Sequence, residues 1–160
     1  MPETPALLAE KLKTEGEKTT VFLSRLTPAQ WQQTVYAAEG TWTARSILAH
    51  FVSAEQGFLK IFASIREDGP GASADFEIDR YNASQQARLA EVAWPELLAH
   101  YQLVRAEMVA FAAGLEAADL QKTGRHPALG ITSLGEMLKM VYLHNALHLR
   151  DLKKALVGSS

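Results

Sequence analysis

The residues of this chain with the most specific chemistry are its histidines: His50, His100, His126, His144 and His148. His144 and His148 lie four apart in a strongly helical stretch. Four residues turn a helix by about 400°, so the two side chains project about 40° apart on consecutive turns. This is the helical spacing of chelating metal ligands. Both fall on the stripe Met137, Val141, His144, His148 and Leu152, within or beside a core-facing seam. A buried imidazole needs a hydrogen-bond partner or a metal, because an unpaired buried polar group costs about 1–3 kcal/mol. A pair hydrogen-bonded inside the protein, for example to Asp151, meets that need as well, so the spacing leaves both readings open. His50, flanked by Ile47, Leu48, Phe51 and Val52, sits just off an apolar stripe of its own helix. A third imidazole beside the pair would complete a three-histidine set, which leaves positions open for water or substrate, as in catalytic sites. Imidazole donors suit zinc, nickel, copper or iron and disfavour calcium and magnesium.

The segment His144-Asn145-Ala146-Leu147-His148 departs from the zinc-protease pattern His-Glu-x-x-His. Asn145 stands where that pattern has its general base, and an amide cannot take a proton from water, which argues against such proteolysis. His126 is expected as an exposed loop residue, with a place in the metal pocket as the alternative. His100 is expected at the surface or its boundary. Asp151 shares the face of His144 and His148 and could orient a ligand imidazole, or form a simple salt link to Arg150 or Lys154. Tyr81 and Asn82 could offer polar groups at a pocket mouth, though packing at a helix start is the plainer reading. Arg45 reads as an exposed first-turn arginine, and Met137 and Met140 as core filler.

Four long helical segments would position these groups, with almost no strand signal. The first is predicted from about Thr4 to Leu26, with Thr4 as N-cap and Pro5 at the first helical position. Thr27-Pro28-Ala29-Gln30 reads as a capped turn that Trp31 packs down. The second helix is expected from near Trp42, after a break at Gly40, capped by Thr41 or Thr43. Its apolar positions Ile47, Phe51, Ala54, Phe58, Phe62 and Ile65 keep a three-to-four spacing until Asp68-Gly69-Pro70-Gly71. The third region is split, from Asp79 to about Val92 and from Pro95 to about Leu115. Residues 116–132 read as a long connection. Ser133 to Glu136 forms a capping-box pattern before a last helix that runs to about Leu156, followed by a frayed tail from Val157 to Ser160.

The 160 residues suit a single domain over 1–160, and 48% hydrophobic with 21% charged residues excludes wholesale disorder. With no cysteine, the chain can have neither a disulfide scaffold nor thiolate ligands. No segment reads as a signal peptide or a membrane span, which predicts a cytoplasmic protein without a membrane partner. Sixteen Lys+Arg against 18 Asp+Glu gives a formal charge of −2. That balance lacks the basic excess of nucleic-acid binders, so no nucleic-acid partner is expected.

Three segments together carry a family resemblance. Thr41-Trp42-Thr43-Ala44-Arg45-Ser46-Ile47-Leu48-Ala49-His50 resembles the second-helix start of the DinB-like (DinB/YfiT) superfamily. Ser133 to Glu136, followed by His144 to Asp151, is similar to that family's last helix with its His-x-x-x-His pair. Asp79-Arg80-Tyr81-Asn82 resembles the opening of its third helix. The resemblance implies an all-α four-helix bundle of up-down-down-up topology, forming a homodimer. It also implies a divalent metal, zinc or nickel, on His50, His144 and His148, acting on a small-molecule substrate. Related members include transferases that use a low-molecular-weight thiol, and hydrolases. A thiol would have to be a cosubstrate here, since the chain has no cysteine. The alternative reading is a non-catalytic dimeric helical module with a structural metal. A bundle with three ordinary buried histidines and no metal is the third.

Overall fold

The computed structural model describes residues 3–37 and 41–158. Helix α1 spans Pro5–Ser24, and the Thr4 side chain accepts from the Leu7 amide at its start. Thr27 caps the short α2, Pro28–Trp31, in a reciprocal capping box with Gln30. Trp31 is buried there and stacks on Trp94 at 4.9 Å. Helix α3, Ala44–Arg66, is capped by Thr43 with Ser46 closing the box. Helix α4, Ile78–Arg88, precedes α5, Trp94–Ala113, which leads by way of 114–133 to the last helix, α6, Leu134–Gly158. The predicted break at Gly40 lies outside the described residues, as do Ser159 and Ser160. Val157 and Gly158, expected to fray, continue α6.

The four long helices are α1, α3, α5 and α6. Leu23 of α1, Ile47 and Phe51 of α3, Leu97 and Tyr101 of α5, and Leu152 of α6 meet in one core cluster. Leu8, Leu12, Phe62, Ile65, Met108, Ala112, Leu134 and Val141 meet in another. The C-terminal ends of α1 and α6 therefore share one end of the bundle with the N-terminal ends of α3 and α5. That is the up-down-down-up order. Because α3 and α5 run the same way, the chain must return along the bundle between them, and α4 lies on that path, packed on α3. Arg45, expected to be exposed, is half-buried and donates to the carbonyls of Leu89 and Val92, fixing the entry to α5.

Two small β-ribbons interrupt the helices, against the expectation of almost no strand. β1, Thr34–Tyr36, pairs antiparallel with β2, Trp42–Thr43. β3, Thr123–His126, pairs with β4, Gly130–Ser133. Strands of two to four residues are too short to show the alternation by which strands are read. Gly124 is also needed where β3 meets α3: a Cβ there would lie 2.5 Å from Ile65 Cγ1. No helix among the described residues is long and apolar enough to cross a membrane.

Candidate metal centre

The core-facing seam of α6 carries His144 and His148 toward α3, where His50 faces them. The Nε2 atoms converge: His50 to His144 is 3.1 Å, and His148 to His144 is 3.0 Å. One ligand atom from each of the three lies within 4.8 Å of those of the other two. Donors on a tetrahedral ion with bonds of about 2.0–2.1 Å stand about 3.3 Å apart, close to this spacing. His50 is 7% exposed, and the Trp42 ring lies over it at 5.0 Å.

Electrostatics keep the three rings neutral. Burial, with repulsion from His144 and His148, lowers His50 to about 3. Burial and the neighbouring His144 lower His148 to about 4, and burial lowers His144. Neutral imidazoles offer lone pairs, as metal ligation requires. Without a cation, a single proton on His144 Nε2 would have to serve both neighbours at once.

The tautomer of His148 follows from its outer partners. Tyr36 Oη lies 2.6 Å from Asp151 Oδ2 and 2.8 Å from His148 Nδ1. A carboxylate only accepts, so the phenol proton goes to Asp151 and the phenol oxygen accepts from His148 Nδ1–H. Burial and the bond to Asp151 raise the Tyr36 pKa, which keeps it a donor. His148 Nε2 is therefore bare and aimed at its two neighbours. Asp151 thus reaches His148 through Tyr36 rather than directly, and its other oxygen lies 3.6 Å from Arg150. Tyr36→Phe removes this orienting oxygen without changing the ring. It should weaken zinc binding by about 10–100-fold, the usual cost of losing an outer partner, as read by competition with a chelating dye.

A cavity of about 520 Å³ opens on the cluster, lined by all three histidines and by Trp42, Tyr81 and His126. Tyr81 lines the cavity, and its hydroxyl donates to the Ser53 carbonyl of α3 at 2.8 Å. Asn82 and Met140 also line it. His100 is exposed, as expected, near Glu96. Asn145 is buried and donates to Glu55 Oε2 at 3.2 Å.

His126 departs from its expected exposure. It is 3% exposed, at the end of β3, with its ring stacked on Phe58 at 5.1 Å. The hairpin, which the sequence does not announce, carries it inward. Nothing in the sequence marks Tyr36. No spacing links β1 to α6, and only the fold brings residue 36 beside 148 and 151.

Burial lowers the His126 pKa from 6.5 to about 4, with a smaller contribution from His144. The unfolded chain therefore takes up this proton first as pH falls. The contribution to stability is whole above pH 6.5, declines between about 6.5 and 4, and is gone below. In metal-free protein, His126→Asn should flatten the stability profile in that window by up to about 1.4 kcal/mol per pH unit, measured by urea titration at several pH values.

The DinB superfamily model matches residues 11–152, and the chain belongs to that superfamily. No protein of curated function matches it by sequence. An uncharacterised protein from Escherichia coli UTI89 has a similar structure, with TM-score 0.77 and 17% identity over 99% of this chain and 96% of the other. YfiT from Bacillus subtilis, described as "a probable metal-dependent hydrolase with an unusual four-helix bundle topology", gives 0.70 and 18% over 94% and 83%. ClbS, a colibactin self-resistance protein, gives 0.72 and 14% over 96% and 98%, and was crystallised in complex with dsDNA. That complex overturns the exclusion of nucleic acid drawn from the charge of −2, because a protein of this fold does take dsDNA. Net charge sums the whole surface, whereas phosphates meet a local distribution of charge.

Proposed function

We propose that this DinB-superfamily chain is a metal-dependent enzyme whose divalent ion, zinc or nickel, is held by His50, His144 and His148. The observation that carries the reading is the convergence of three imidazole Nε2 atoms at the wall of a cavity. Three protein ligands and an adjoining cavity fit a centre with an open position better than a closed structural one. A bound ion there would supply Lewis-acid polarisation and lower the pKa of a coordinated water or thiol.

The chain's own residues set the conditions for that chemistry. Trp42 and the bundle core shield His50 from water. Tyr36 and Asp151 fix His148 with its lone pair toward the centre. Hydrolysis, or transfer of a low-molecular-weight thiol supplied as cosubstrate, are the reactions proposed. The test is elemental analysis of protein purified without a histidine tag or metal column. Wild type should carry about one equivalent of zinc or nickel per chain, and His50→Ala should carry none. Ester hydrolysis or thiol transfer should then be abolished by chelation and restored by the same metal. Equal metal in wild type and His50→Ala would overturn the assignment.

A further inference from the structure

Two rings at the cavity have a buried nitrogen without a partner among the described residues, His50 at Nδ1 and His126 at Nε2, and of these His126 lies outside the proposed ligand set. Its Nδ1 accepts from the amides of Ala128 at 3.0 Å and Leu129 at 3.1 Å. Both partners are donors, so Nδ1 carries no proton, and the proton of the neutral ring resides on Nε2. Protonating Nδ1 would turn it against two amides, and burial lowers the basicity of the ring in the same sense. The turn that supplies these amides is closed by Gly130, whose φ of +72° favours glycine. Stacking on Phe58 fixes the plane of the ring. With the Nδ1 edge taken up by the turn, the Nε2 edge remains, shielded from water and without a partner among the described residues. An unpaired buried donor costs stability, and a fold that holds one rigidly beside a cavity has a ready place for an acceptor. The cavity walls include Trp42, Phe58, Ile61, Phe76 and Met140, which suit an apolar body.

We infer that His126 is a substrate-binding residue whose fixed Nε2–H donates to the carbonyl-type oxygen of a largely apolar substrate beside the three-histidine centre. The inference rests on the proposed function for the role of that centre, but not for the state of the ring. A neutral donor in a water-excluded pocket holds an acceptor oxygen without the desolvation that a cation would require.

The test uses acetophenone and isopropylbenzene, two probes of similar shape of which only the first has an acceptor oxygen. Two-bond nitrogen–proton correlation spectra of histidine-labelled protein, zinc-loaded and metal-free, should show His126 protonated on Nε2. Acetophenone, and not isopropylbenzene, should move that Nε2 resonance. In His126→Asn the carboxamide oxygen can replace Nδ1 as acceptor in the turn, while the Nε2 donor is lost. The ratio of acetophenone to isopropylbenzene affinity should fall about tenfold in that variant, the equivalent of one hydrogen bond. An Nδ1–H tautomer, an Nε2 resonance indifferent to acetophenone, or an unchanged affinity ratio would each overturn the inference. If His126→Asn does not fold, the wild-type spectra decide. Failure to bind zinc would sink the proposed metal centre, and the metal-free spectra would still report on His126.

Discussion

His144→Ala should abolish the stabilisation that zinc gives the folded protein. His144 is the middle ring of the proposed ligand set: its Nε2 lies 3.1 Å from that of His50 and 3.0 Å from that of His148. Removing it leaves two imidazoles separated by the space it filled, so the loss should exceed the roughly 10–100-fold cost of an outer partner. A ligand that binds only the folded state stabilises by about 4 kcal/mol at a thousandfold excess over its dissociation constant. For a chain of this size that is a melting shift on the order of 10 °C. Wild type should show such a shift with zinc and lose it with chelator, while His144→Ala should melt at the same temperature with and without zinc. The metal-free variant should remain folded, since three crowded neutral imidazoles contribute little to the core. Stoichiometric zinc in His144→Ala would show that the ion sits elsewhere.

The second large effect lies in the core, away from the cavity. Arg105, 4% exposed, donates from Nε and Nη2 to the two oxygens of Glu55, 1% exposed, both at 2.8 Å. Its Nη1 reaches the Leu12 carbonyl at 2.9 Å, and Asn145 donates to Glu55. One residue each from α3, α5 and α6, with the α1 backbone, therefore meets in a single network. Gly16 makes room for it, because a Cβ there would stand 2.7 Å from Arg105 Cγ. Arg105→Met keeps the apolar stem but leaves Glu55 buried without its cation. Breaking such a pair costs about 3–5 kcal/mol, a large share of the roughly 5–15 kcal/mol that holds a domain folded. Urea unfolding should show that loss. Adding Glu55→Leu to Arg105→Met should recover most of it, because an apolar replacement of both partners has no stranded charge. A single variant as stable as wild type would mean that water reaches Glu55.

These two cases mark what the sequence could and could not disclose. The bundle and its caps were legible because helical periodicity and capping act within a few residues. Thr4, Thr27 and Thr43 all cap as expected. The His144–His148 pair was legible for the same reason, since four residues on a helix define a geometry. His50 joined them only by its flanking apolar residues and by family resemblance. Glu55 and Arg105 gave no sign of pairing, because nothing local distinguishes a charge bound for the core from one bound for solvent. Tyr36 and His126 were hidden by the ribbons. Strands of three and four residues leave no periodic trace, yet they deliver a phenol to His148 and a second type of histidine to the cavity wall. The charge balance excluded more than it could, since a whole-chain sum does not describe a local surface.

The most direct test of the metal centre is diffraction from zinc-soaked crystals of the untagged protein, collected on both sides of the zinc absorption edge. One anomalous peak per chain is expected, about 2.0–2.1 Å from the Nε2 atoms of His50, His144 and His148, with a coordination position facing the cavity. No peak at that point, or a peak held by other side chains while the three rings stay hydrogen-bonded to one another, would contradict the three-histidine centre.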